Sequence, residues 1–117
     1  MKAIFHLSSC DTCRKILREL SPGSDVRLQD IKTARISAEQ LDEMARLSGS
    51  YESLFSRKAI KFRTAGLADK QLSESDFRRL LLEEYTFLKR PVVQAGQRIF
   101  VGNAAKTVAA AKAALSE

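Results

Sequence analysis

Cysteine and histidine are scarce in this 117-residue chain, which has two of the first and one of the second. Cys10, Cys13 and His6 cannot by themselves complete a structural zinc site, which takes four ligands. Long apolar runs are missing, so nothing reads as a membrane span. MKAIFHL is too short for the core of a signal peptide, and the polar SSCDTCRK cuts it off; the expectation is a cytoplasmic protein with no membrane association. Blocks of like charge are missing too. The net charge is +6 and the pI about 9.6, yet the basic residues are scattered among acids, as in DFRRLLLEEY, with no aromatic residues interleaved. That pattern lacks the footprint of a nucleic-acid binder and reads as a solvated surface. No repeat, linker or low-complexity tract stands out beyond the alanines near the end.

What is present fits one globular domain, 1–117: the chain is 44% hydrophobic and 29% charged, and long enough to bury one core. KAIFHL, ending in Ser-Ser, predicts a short buried strand. A helix follows, with Asp11 and Thr12 as caps, Ile16, Leu17 and Leu20 as its apolar stripe, and Ser21-Pro22-Gly23 as its stop. VRLQDI predicts a half-buried strand through Val26, Leu28 and Ile31. ISAEQLDEMARLSG opens on a capping box, Ser37 with Gln40, carries Leu41, Met44, Ala45 and Leu47 at helical spacing, and stops at Gly49. YESLF predicts a helical turn, and SRKAIKFRTAGL is basic and poorly periodic. SESDFRRLLLEEYTFL predicts a helix capped by Ser73 with Asp76, its apolar face Phe77, Leu80, Leu81 and Tyr85. After Pro91, strands at Val92 to Gln94 and Arg98 to Val101 join at Ala95-Gly96, and AAKTVAAAKAAL predicts a closing helix. The expected class is therefore α/β: β-α-β, a helical insertion at about 37–88, then β-β-α.

Three uses of Cys-x-x-Cys compete: half a zinc site, a structural disulfide, or a redox pair. Reducing cytoplasm disfavours the second. A cysteine between a strand and a helix sits where unpaired backbone N–H groups stabilise a thiolate. Cys13, three residues on, lies on the same helical face and can resolve an adduct on Cys10. The pattern within β-α-β favours the redox pair; burial of both as small hydrophobes is the plain alternative, and position argues against it for Cys10. His6 stands four residues before Cys10, where it could exchange protons with the thiol or simply be structural.

HLSSCDTCRKIL, LFSRKAIKFR and FLKRPVVQAGQRIFVGN resemble, as a set and over nearly the whole chain, the glutaredoxin-linked arsenate reductases and their Spx-type relatives. The resemblance implies a thioredoxin-like fold, with a mixed sheet flanked by helices. It implies Cys10 as nucleophile, His6 as its neighbour, and Arg90 as an oxyanion-binding residue before a cis Pro91. Arg57 is the best match to a second such arginine, with Lys58 beside it. Val101 stands where authentic arsenate reductases place a third, and Arg98 matches a different basic position. Cys13 is a further departure: these reductases generally lack it and borrow glutathione, whereas Spx-type regulators carry Cys-x-x-Cys as a switch and bind the RNA polymerase alpha subunit.

The expected function is a small thiol-disulfide oxidoreductase acting on a small oxyanion or thiol substrate, with Cys10 as nucleophile and Cys13 resolving. Glutathione with glutaredoxin, or thioredoxin, is the expected reductant, and no bound cofactor or metal is expected. The alternative is an Spx-type redox switch whose partner is RNA polymerase or another protein. With Val101 at the third position, weak arsenate reduction is expected alongside formation of the Cys10–Cys13 disulfide.

Overall fold

The computed structural model describes residues 1–67 and 70–117. Its elements are β1 (Lys2–His6), α1 (Asp11–Leu20), β2 (Val26–Asp30), α2 (Ala38–Ser48), α3 (Ile60–Thr64), α4 (Glu74–Glu83), β3 (Val92–Ala95), β4 (Arg98–Val101) and α5 (Ala105–Leu115). Short 3-10 turns lie at Glu52–Leu54 and Tyr85–Phe87. The chain divides into two compact units, Met1–Arg35 with Arg90–Glu117, and Ile36–Lys89.

The first unit holds the whole sheet, in the order β2-β1-β3-β4. β1 runs parallel to β2, which obliges a crossover, and α1 supplies it. β3 is antiparallel to β1 and to β4, so β1 and β4 point the same way. One sheet face, through Ile4, Val26, Val93 and Ala95, packs with Ile16 and Leu20 of α1 and with Val108, Ala111, Ala114 and Leu115 of α5. Burying an aliphatic side chain of this size contributes about 1.5–3 kcal/mol, so this layer fixes where α1 lies. Phe5 and Val92, on the opposite face, are buried as well. In α5 the apolar positions recur at helical spacing and the intervening alanines favour the helix itself.

Several expectations shift. Leu28, read as half-buried, is 51% exposed, because β2 is an edge strand with β1 on one side only; Val26 and Ile31 are buried. The hairpin loop is Gly96-Gln97 rather than Ala95-Gly96, since Ala95 still pairs with Arg98. Gly96 takes φ +62°, a left-handed conformation that suits glycine in a two-residue hairpin. Helix α1 is capped by Cys10, not by Asp11 or Thr12, which lie inside its first turn. It stops at Ser21, left-handed at φ 45°, whose N–H donates to the Leu17 carbonyl at 3.0 Å.

In the second unit both predicted capping boxes form. Gln40 N–H donates to Ser37 Oγ at 3.0 Å and Ser37 N–H returns to Gln40 Oε1 at 3.0 Å, while Ser73 and Asp76 do the same for α4. Gly49 ends α2 at φ 106°. The poorly periodic basic stretch contains the short helix α3, which buries Phe62. Helix α4 ends at Glu83, so Tyr85 lies in the following 3-10 turn rather than on the α4 face; Phe77, Leu80 and Leu81 are buried as expected. Phe55 is the hub of an aromatic core, with ring centroids 5.9 Å from Phe62, 5.0 Å from Phe77 and 4.9 Å from Phe87. Among the described residues no helix is long and apolar enough to cross a membrane.

Candidate functional site

The site begins where β1 ends. After His6 the chain turns through Leu7–Ser9, and Cys10 N–H donates to the Leu7 carbonyl at 3.0 Å. This tight turn delivers Cys10 to the N-cap position of α1 with extended backbone angles, φ −97° and ψ 118°. Its sulfur makes no cap hydrogen bond of normal geometry. Burial raises the Cys10 thiol, but the Cys13 backbone N–H, the Cys13 side chain and the Arg90 guanidinium together outweigh it, and the net result lies below the ordinary 9.0. The cause is that of a capped helix start: donors and a cation converge on one atom and favour its anion.

Cys13 behaves oppositely. It is fully buried, and burial pushes its thiol up to about 11; a backbone hydrogen bond at Leu7 opposes the shift, while the charge and side chain of Cys10 add to it. The two sulfurs, both free thiols, therefore sit within reach of each other with their proton affinities pulled apart.

Arg90 comes just before β3, whose first residue, Val92, pairs with Phe5 near the end of β1. The Arg90–Pro91 bond is cis, and the Arg90 guanidinium acts on the Cys10 thiol and lowers it. Pro91 is buried, and its carbonyl accepts from Gly102 N–H at 3.0 Å. Since Val101 pairs with Val92, Val101 lies on the same sheet edge as Pro91 and the end of β1. Arg98 lies at the far end of β4, where it donates to Glu117 Oε1 at 2.9 Å. It is not part of this edge.

His6 ends β1 opposite Asp30, with its Nδ1 buried and without a hydrogen-bond partner among the described residues. Arg57 belongs to the second unit. There its Nη2 donates to Glu52 Oε2 at 3.0 Å, and its guanidinium lies over the Phe77 ring, 5.4 Å from the centroid.

Sequence reasoning missed the bracing of the turn. Ser8 Oγ donates to Asp30 Oδ2 at 2.6 Å and Ser8 N–H to Asp30 Oδ1 at 3.3 Å. Arg14 Nη1 donates to the Ser8 carbonyl at 2.9 Å, and Arg14 also pairs with Asp11. A Ser before the helix was visible in SSC, but its partner lies one strand away and has no local signature. Among the described residues no group of three or more His, Cys, Asp or Glu side chains is placed to hold a metal ion.

No curated protein sequence is significantly similar to the chain. Solved structures are. The YFFB protein has a TM-score of 0.77 at 26% identity, covering 95% of this chain and 98% of its own. An arsenate reductase from Vibrio cholerae has a TM-score of 0.78 at 20% identity, over 93% of this chain and 95% of its own, which is a likeness of fold. An arsenate reductase (ArsC) related protein from Brucella melitensis has a TM-score of 0.70 at 26% identity, over 93% of this chain and 92% of its own. These likenesses make the fold that of the ArsC-type thioredoxin-like proteins. The ArsC family model matches residues 5–111, from within β1 to within α5, and takes in Cys10, Cys13, Arg57 and Arg90. Such a match suggests, in general terms, an oxyanion substrate and a thiol reductant; it supports a thiol oxidoreductase-like function, and the chain belongs to the ArsC family.

Proposed function

We propose that the protein is a small thiol-disulfide oxidoreductase in which Cys10 attacks and Cys13 resolves. The observation that carries this reading is the divergence of the two thiols. Cys10 is held below 9.0 by Cys13 N–H and Arg90, and Cys13 is held at about 11 beside it. One sulfur ionises more readily than an ordinary thiol, and the other keeps its proton until the first has reacted.

With a disulfide substrate, the Cys10 thiolate attacks one sulfur. The S–S bond breaks, and the other sulfur leaves with the bonding pair. Cys13 then gives up its proton, attacks Cys10 and expels the remaining substrate sulfur. The substrate gains two electrons and becomes two thiols, and the protein carries the Cys10–Cys13 disulfide. Glutathione with glutaredoxin, or thioredoxin, returns it to dithiol by the same exchange. With an arsenate-like oxyanion, Cys10 forms a bond to arsenic as water leaves. Attack of Cys13 on the Cys10 sulfur then leaves that bonding pair on arsenic, which passes from the +5 to the +3 state.

Arg90, beside Pro91, is the anion ligand of this reading, for an oxyanion or a glutathionyl carboxylate; a part for Arg57 rests on the family resemblance alone. Val101 supplies no charge where a third arginine would. A hydrogen bond to a charged group is worth about 1.5–3 kcal/mol, so its absence weakens oxyanion stabilisation by roughly one to two decades. Disulfide substrates are therefore favoured over arsenate. The alternative, an Spx-type switch acting on RNA polymerase, has only the Cys-x-x-Cys pair in its favour, and none of the relatives described supports that partner.

The test is NADPH oxidation coupled to glutathione/glutaredoxin and, separately, to thioredoxin, with arsenate or a glutathione mixed disulfide as substrate and Cys10→Ser as blank. Cys10-dependent turnover of the disulfide supports the enzyme. A protein that forms its disulfide once and never turns over is a switch, and the proposal fails.

A further inference from the structure

We propose that Asp30 is a positioning residue for Cys10, acting through Ser8. The inference rests on the role given to Cys10 above and concerns how its turn is held. Asp30 closes β2, opposite His6 across the β1–β2 ladder. Both its carboxylate oxygens reach out of the strand. Oδ2 accepts from Ser8 Oγ at 2.6 Å and Oδ1 from Ser8 N–H at 3.3 Å; Oδ1 also accepts from Lys32 N–H at 3.2 Å. Ser8 is thereby held on its side chain and its amide, while Arg14 holds its carbonyl from the helix side at 2.9 Å.

Ser8 stands two residues before Cys10 in a turn that is tied at Leu7 as well, by Cys10 N–H to the Leu7 carbonyl and by the Leu7 backbone to Cys13. The position of the sulfur against Cys13 N–H and Arg90 therefore depends on where Ser8 is fixed. The carboxylate is a suitable anchor, since its pKa is lowered from the ordinary value. The Ser8 hydroxyl is the main cause, desolvation opposes it, and the Lys32 and Ser8 amides assist. Charge-assisted hydrogen bonds are shorter and about twice as strong as neutral ones.

Two competing roles give different signs. A carboxylate acting on Cys10 only through its charge would disfavour the thiolate, so removing it would lower the thiol's ionisation midpoint. An Asp serving only its own turn, where Lys32 N–H meets the carboxylate and Ala34 N–H donates to the Asp30 carbonyl at 2.8 Å, would leave Cys10 untouched. A positioning residue, when lost, lets the sulfur drift from its donors and raises the midpoint.

The experiment follows iodoacetamide alkylation of Cys10 against pH by peptide mass spectrometry in the full chain, for native protein, Ser8→Ala, Asp30→Asn, Asp30→Ala and the double Ser8→Ala/Asp30→Ala variant. Thermal melts accompany each. Ser8→Ala removes only the hydroxyl link and leaves the turn of Asp30 intact, so it carries the test should Asp30→Ala fold poorly. The expected result is an upward shift of the Cys10 midpoint in both single alanine variants. Half a pKa unit reads as about threefold slower alkylation near neutrality. The double variant should be no slower than Asp30→Ala alone, because the two residues act as one link. Asp30→Asn, which can still accept from Ser8, should fall between native and Asp30→Ala. Unchanged midpoints with lowered melting temperatures would make Asp30 structural only, and a downward midpoint would make it a mere charge; either overturns the inference while leaving the role of Cys10 intact. If native Cys10 is no more reactive than Cys13, the proposed function falls and this inference falls with it.

Discussion

Alkylation of the two cysteines should differ by far more than their three-residue spacing suggests. The perturbation is brief exposure of the reduced protein to iodoacetamide at pH 7. Cys13 titrates at about 11, two units above the 9.0 of an ordinary thiol, so its thiolate fraction is about a hundredfold below that of an unperturbed cysteine. Cys10 titrates below 9.0 and exceeds the unperturbed fraction. Nucleophilicity partly offsets this, since a more basic thiolate attacks faster with a Brønsted slope of about 0.4–0.5; two units return roughly a factor of eight. Ionisation alone thus leaves Cys10 faster by at least about tenfold. The complete burial of Cys13 multiplies that ratio. The assay is quantitative mass spectrometry of the peptides carrying each cysteine, using an excess of reagent and short times. As pH rises, Cys10 labelling should pass its midpoint below pH 9, while the Cys13 midpoint should lie near 11. Equal rates at pH 7, or a common midpoint, would refute the argument that the helix start and Arg90 separate the two thiols.

Arg90→Ala removes both a hydrogen bond and a positive charge from Cys10, so the midpoint of its alkylation profile should move up; an unmoved midpoint would detach Arg90 from the sulfur. Val101→Arg should raise arsenate turnover above a weak native level, read by coupled NADPH oxidation with Cys10→Ser as blank. Robust native turnover would instead show the third arginine to be dispensable. Ile16→Ala opens a cavity between α1 and the sheet and should cost about 2–5 kcal/mol in urea unfolding; a loss under 1 kcal/mol would mean that the layer beneath the active helix is not close-packed.

The parts of the fold that could be read from the sequence are those set by neighbours in the chain. Ser37 with Gln40, Ser73 with Asp76 and Gly49 are local rules, and they hold because each closes within one helical turn. Cys10 and Cys13 are legible for the same reason. Leu28 misleads because alternation gives the face of a strand and not its place in the sheet, and an edge strand leaves such a residue exposed. Tyr85 continues the apolar spacing of α4, yet the helix stops two residues earlier, since spacing carries no stop signal there. The Asp30–Ser8 link joins residues 22 apart and depends on β1 and β2 being neighbours, which only the folded sheet establishes. The place of Arg90 came from resemblance, because nothing near KRPVV in the sequence points to a cysteine at the other end of the unit.

The cap of α1 is the residue whose reactivity is at issue. α2 and α4 begin with full capping boxes, whereas α1 begins with a cysteine that makes no cap hydrogen bond of normal geometry. Serine in that place is a preferred helix cap, and replacing a non-capping residue by one is worth on the order of 1 kcal/mol. α3 and α5 begin without a side-chain cap as well, but only at α1 is the uncapped residue the proposed nucleophile, and Cys10→Ser should yield a protein at least as stable as the native chain. Inactivity of that variant then reports the loss of a nucleophile and not the loss of a fold.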